Sequence, residues 1–139
     1  MNAPLVAVES PAHQLLDCRP TEPAAQSPLD AGRFHFRYRT PAAEYEIVLN
    51  LRGAHQVSNA RTAIHVAEQL TARGVRLPRA AVEAGLRRVV WPGRLEVAEV
   101  EDTRRELTLP VLLDGAQNAA GAEYLRDYLA HFQAGRRVT

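Results

Sequence analysis

The sequence predicts a mixed α/β fold, and three patterns predict it. Phe34, Phe36 and Tyr38 alternate with His35, Arg37 and Arg39, and Tyr45, Ile47, Leu49 and Leu51 alternate again, the period of a half-buried strand. Ala60, Ile64, Ala67 and Leu70, then Val82, Leu86 and Val89, recur at helical spacing. The stretch from Leu107 to Leu113 ends in a nearly continuous apolar run, which Asp114-Gly115 stops before a further helix.

Taken in order, residues 1–33 read as a poorly structured segment. They hold Pro4, Pro11, Pro20, Pro23 and Pro28 among alanine, serine and glutamine. Leu5–Val8 suits a short strand, and Thr21–Gly32 reads as a linker. The alternation from Phe34 opens a β-hairpin turned by Thr40-Pro41-Ala42-Ala43. Gly53 breaks the second strand. Ser58 or Asn59 is placed to cap the first helix, and Gly74 to close it. Pro78 opens a second helix, where a missing N–H costs nothing. Trp91-Pro92-Gly93 ends that helix and marks a junction. Leu95, Val97 and Val100 predict a strand, Glu101–Arg105 a charged turn, and Leu107–Leu113 a strand buried on both faces of an α/β sheet. A last helix runs from about Asn118 with Ala122, Leu125, Leu129 and Phe132 on its face, stopping near Gly135.

Composition narrows the chemistry. Among 139 residues all 17 basic side chains are arginine, so a Schiff-base lysine, a lysine base or a Gly-Lys-Ser/Thr phosphate loop has no residue to build it. The abundance of alanine and near absence of isoleucine point to coding bias as the origin. Length alone suggests one domain. Acidic and basic residues nearly cancel, at net charge +1, and are interspersed, so neither nucleic acid nor a membrane surface is implied as partner. Cys18 is the single cysteine, which excludes an internal disulfide and fits a reducing cytoplasm. No apolar run approaches a membrane span and no signal peptide is evident. The five histidines lack zinc-site spacing.

Three clusters sit at element ends, where α/β proteins place ligands. In Leu51-Arg52-Gly53-Ala54-His55-Gln56-Val57-Ser58-Asn59-Ala60, the Asn59 amide suits the edge of a purine ring. Equally, Asn59 is a cap and His55 a loop histidine. In Trp91-Pro92-Gly93-Arg94-Leu95-Glu96, Arg94 on a stiff arm suits phosphate, or else pairs with Glu96 on the surface. In Leu112-Leu113-Asp114-Gly115-Ala116-Gln117-Asn118, Asp114 either accepts from a ribose hydroxyl or helps hold a metal-bound phosphate, or else caps the helix.

In this order the clusters closely resemble folylpolyglutamate synthase/dihydrofolate synthase of the Mur ligase superfamily, from about Phe34 to Phe132. The Trp-Pro-Gly-Arg-Leu-Glu string is the most specific part; Mur ligases proper share a looser version. The resemblance implies the end of a P-loop-type central domain (residues 34–90, hairpin plus two helices) joined to the start of a Rossmann-like C-terminal domain (residues 91–139). It implies a cytoplasmic, ATP-dependent amide-forming ligase, monomeric at full length. ATP and Mg2+ activate a dihydropteroate or folate carboxylate as an acyl phosphate, which L-glutamate attacks. Asn59, Arg94 and Asp114 match nucleotide-contacting residues, with His55 and Gln117 beside them. No residue here matches a catalytic group or a metal ligand. The family usually has histidine where Gln117 stands and often proline at Ala119; glutamine keeps a hydrogen bond but does not titrate. The family's phosphate loop, magnesium ligands and modified lysine lie upstream of the match and have no counterpart in residues 1–33. The expectation is therefore a fragment, ending before its second sheet is complete and inactive on its own. The alternatives are a non-catalytic nucleotide-binding or interaction module and a fragment of a Mur peptide ligase.

Overall fold

The computed structural model describes residues 10–22 and 31–134. The Leu5–Val8 strand, most of the Thr21–Gly32 linker and the Gly135 stop fall outside them. Among the described residues the fold is mixed α/β, with two small sheets and three helices. Strands β1 (Gln14–Pro20), β2 (Phe34–Arg39) and β3 (Glu44–Leu49) form an antiparallel sheet with β2 in the middle. Register pairs Phe34 with Leu49, Phe36 with Ile47 and Tyr38 with Tyr45. All six side chains are buried on one face, as the alternation requires. The outer face pairs arginine with glutamate, Arg39 reaching Glu44 at 2.9 Å.

Helix α1 (His55–Ala72) lays Val57, Ala60 and Ile64 on that sheet. The buried stripe lies N-terminal to the expected one, and Leu70 is exposed. Gly74, at φ +92°, closes the helix: its N–H bonds the Thr71 carbonyl and that of Val75 the Leu70 carbonyl. Pro78 caps α2 (Arg79–Arg88), whose Val82 and Leu86, with Val89 beyond, pack partly buried on the same core. Asn50 fastens the end of β3 to that helix, donating its backbone N–H to Leu86 O and its amide to Val89 O.

Strand β1 lies within residues 1–33, read as poorly structured, and corrects that reading for Gln14–Pro20. Its seven residues are mostly exposed and show no apolar period. Backbone pairing with β2 holds it as an edge strand, with a register shift between Leu15 and Asp17. Pro20 is tolerated at the edge.

Past the junction, β4 (Glu96–Asp102) and β5 (Leu107–Leu113) form an antiparallel hairpin. The expectation that β5 is buried on both faces is not met: Leu107, Leu109 and Leu113 are exposed. Helix α3 (Ala119–Phe132) is capped by Asn118, whose Oδ1 accepts from Gly121 N–H at 2.8 Å. Its most buried residue is Tyr128, which donates its hydroxyl to Ala31 O at 3.2 Å. A Cβ on Gly32 would lie 2.5 Å from the Tyr128 ring, so glycine at φ +79° admits this approach. Phe132, the last residue of α3, meets Phe34 edge-on, and the N-terminal end of α3 lies across a cleft from that of α1. No helix among the described residues is long and apolar enough to cross a membrane.

Candidate functional site

The starts of α1 and α3 and the junction between the two sheets enclose a cleft of about 380 Å³. Gly53 makes the first wall possible. At φ +94° it donates its N–H to Gly32 O, and a Cβ there would strike both the His55 ring and Leu95. Helix α1 begins at His55 behind Ala54, with no side-chain cap. Ser58 and Asn59, expected as caps, instead lie inside the helix. Asn59 is exposed and faces the cleft, with Nδ2 donating to Gln56 Oε1 at 2.9 Å.

The junction forms the second wall. Gly93 and Leu95 take positive φ, +71° and +48°. Glu96 closes this turn by accepting the Gly93 N–H at 2.7 Å, so the surface pair with Arg94 does not form. Leu95 is 2% exposed, and its carbonyl accepts from Arg52 Nη1. Arg94 is left on the surface, one Nη1–H donating to Gly115 O at 3.3 Å. Trp91, 62% exposed, stands at the rim.

Asp114, at the end of β5, ties these pieces together. Its two oxygens accept from Leu95 N–H at 3.0 Å and Ala116 N–H at 2.8 Å, while Gly115 N–H bonds Gly93 O at 2.7 Å. The aspartate is thus an anchor for the backbone rather than a cap for α3, the role Asn118 fills.

His55 sits at the centre, with Tyr124 of α3 against its ring at a centroid distance of 4.8 Å. Burial pushes its pKa below the usual histidine value. Asp114 opposes that shift and Arg94 reinforces it. The imidazole is therefore neutral near pH 7.

The structure brings His55, Asn59, Arg94 and Asp114 onto one cleft. Gln117 is exposed and does not line it. Sequence reasoning missed Gln56 and Tyr124. The spacing of Gln56, three residues before Asn59 on one helical face, was a usable signal; Tyr124 becomes visible only once α3 has docked.

No family model matches the chain. It is 34% identical over 113 residues to a dihydrofolate synthase/folylpolyglutamate synthase of Bacillus subtilis, covering 80% of this chain and 24% of that protein. A Mycobacterium tuberculosis protein of the same description is 39% identical over 88 residues, 62% of this chain and 17% of its own length. The fold superposes on the M. tuberculosis folylpolyglutamate synthase complexed with ADP and AMPPCP, with a TM-score of 0.63 and 31% identity, covering 88% of this chain and 24% of that one. The homologues of this chain are folylpolyglutamate/dihydrofolate synthases. The chain spans about a quarter of the length of the Bacillus synthase it matches.

Proposed function

We propose that this chain forms the nucleotide-binding cleft of an ATP-dependent amide-forming ligase, one that joins L-glutamate to a pteroate or folate carboxylate through an acyl phosphate. The observation that carries the reading is the meeting of Asn59, Arg94 and Asp114, distant in sequence, on one cleft between two helix starts. Helix N-termini present N–H groups and the positive end of the dipole, which favour phosphate. The planar fork of Arg94 matches phosphate oxygens. Asn59 offers its amide to the base, and Asp114 keeps lone pairs beyond its two backbone bonds for a ribose hydroxyl. That the mycobacterial synthase is complexed with ADP and AMPPCP supports nucleotide binding among the proteins this chain resembles.

Magnesium, which accompanies ATP in the family resemblance, finds no protein cage in this cleft. Asp114 is the sole carboxylate among the described lining residues, and one carboxylate already tied to two backbone N–H groups does not make a set of cation ligands. Among the described residues no three His, Cys, Asp or Glu side chains are disposed to hold a metal. The residues do not fit a resident cation, and no step is assigned to one.

Phosphoryl transfer also needs positive charge around the transferring group, and these 139 residues offer arginine but no lysine. Nucleotide binding without turnover is the expected behaviour of the chain alone. Calorimetry with ATP should give a binding heat that Arg94→Ala removes; an unchanged signal in the variant counts against the site. ADP release dependent on both glutamate and folate or dihydropteroate should stay at background. Robust turnover would overturn the expectation of inactivity.

A further inference from the structure

We propose that Gln56 is a positioning residue: it fixes the Asn59 amide with its oxygen and one N–H turned to the cleft, the pair that reads a 6-aminopurine. The inference rests on the nucleotide reading above and adds the device that sets base preference.

Gln56 is 6% exposed, so its amide is settled by its two partners rather than by water. Its Oε1 accepts from Asn59 Nδ2 at 2.9 Å, and its Nε2 lies 3.0 Å from His55 Nε2. An amide nitrogen only donates, so His55 Nε2 accepts and the neutral ring carries its proton on Nδ1. The ring has little room to turn. Gly53 passes so close that a Cβ on it would meet the ring at 2.7 Å, and Tyr124 lies against the ring at an interplanar angle of 31° from α3. The hydrogen bonds thus run in one direction, Asn59 to Gln56 to His55. The reverse chain, from His55 through Gln56 to Asn59, would need both the other tautomer of His55 and the Asn59 amide turned over.

What Asn59 then presents is fixed. Its Oδ1 and second N–H remain for a ligand, and this acceptor–donor pair matches the exocyclic amine and N7 of adenine. Against a 6-oxopurine, Oδ1 would face another oxygen.

The test is calorimetry with ATP and with inosine triphosphate on the wild-type chain, Gln56→Met and Gln56→Glu. The wild type should favour ATP by roughly tenfold, the scale of one satisfied hydrogen bond against one repulsive contact. Gln56→Met, which fills the same volume, should bring the ratio toward one, chiefly by weakening ATP. Gln56→Glu still accepts from Asn59 and should keep the preference. A wild-type ratio in Gln56→Met, or equal binding of both nucleotides by the wild type, overturns the proposal alone. Binding of neither nucleotide by the folded wild type overturns the nucleotide reading with it. If Gln56→Met does not fold, 15N NMR of the wild-type His55 ring decides: the Nδ1–H tautomer is expected, and the Nε2–H tautomer overturns the proposal.

Discussion

At Gly53 a single absent methyl group holds the cleft together. A Cβ there would sit 2.7 Å from His55 Cε1 and 2.9 Å from Leu95 Cδ1, at a φ that side chains avoid. Gly53→Ala should cost about 1–3 kcal/mol in denaturant unfolding. It should also weaken ATP binding, because it moves His55 and Leu95 together. At this scale much of the site was legible. Arg94 and Asp114 stand beside Gly93 and Gly115, and polar residues next to glycine at element ends stand out in a chain. Gln56 did not stand out, because a buried glutamine carries no mark of burial in the sequence. Asn59 was found for a mixed reason. The sequence suits it to a helix cap as well as to a reader of base edges, and the helix starts five residues earlier than a cap at 59 needs.

Among the elements, α1 joins the cleft at its start to a second polar cluster two turns on. His65, buried, pairs with the Tyr38 hydroxyl at 2.7 Å. Glu68 accepts from Thr40 at 2.6 Å and from Tyr45 at 3.1 Å, and burial with the nearby carboxylate pushes Tyr45 up to about 12. Burial pushes the His65 pKa down. His13, its ring 4.4 Å away, and Arg61 act the same way, while Glu68 opposes them. A histidine with a depressed folded pKa takes up its proton first when unfolded. Its contribution is therefore whole above about pH 6.5 and drains away as pH falls below that value toward the folded pKa. Denaturant midpoints should drop between pH 7.5 and 5.5, and His65→Gln should show a shallower decline; identical slopes would count against this. Strands β2 and β3 were legible because each buries one face, so polar and apolar residues must alternate. Strand β1 was not, since its stability comes from backbone pairing that leaves no pattern in side chains. For β5 the apolar run announced a strand truly but its burial falsely, as composition does not say what lies above a sheet.

For the molecule as a whole, apolar burial is concentrated between the first sheet and its two helices, and the hairpin of β4 and β5 adds little. Ile47, fully buried at the sheet centre, should cost about 2–5 kcal/mol when cut to alanine. Leu109→Thr on the exposed hairpin face should stay within about 0.5 kcal/mol. Thermal or chemical unfolding of the two variants checks the contrast, and comparable losses would show a second core in the hairpin. Leu95 stands where these unequal halves meet. Its N–H is held by Asp114, its carbonyl by Arg52 and its side chain by the floor beneath His55, while its immediate neighbour is the arginine offered to phosphate. Selection acting on this position cannot tell folding from affinity. A change at Asn59 is free to alter what the cleft prefers and leave the scaffold alone, but drift at Leu95 taxes both at once, making a featureless leucine less replaceable than the polar residues around it.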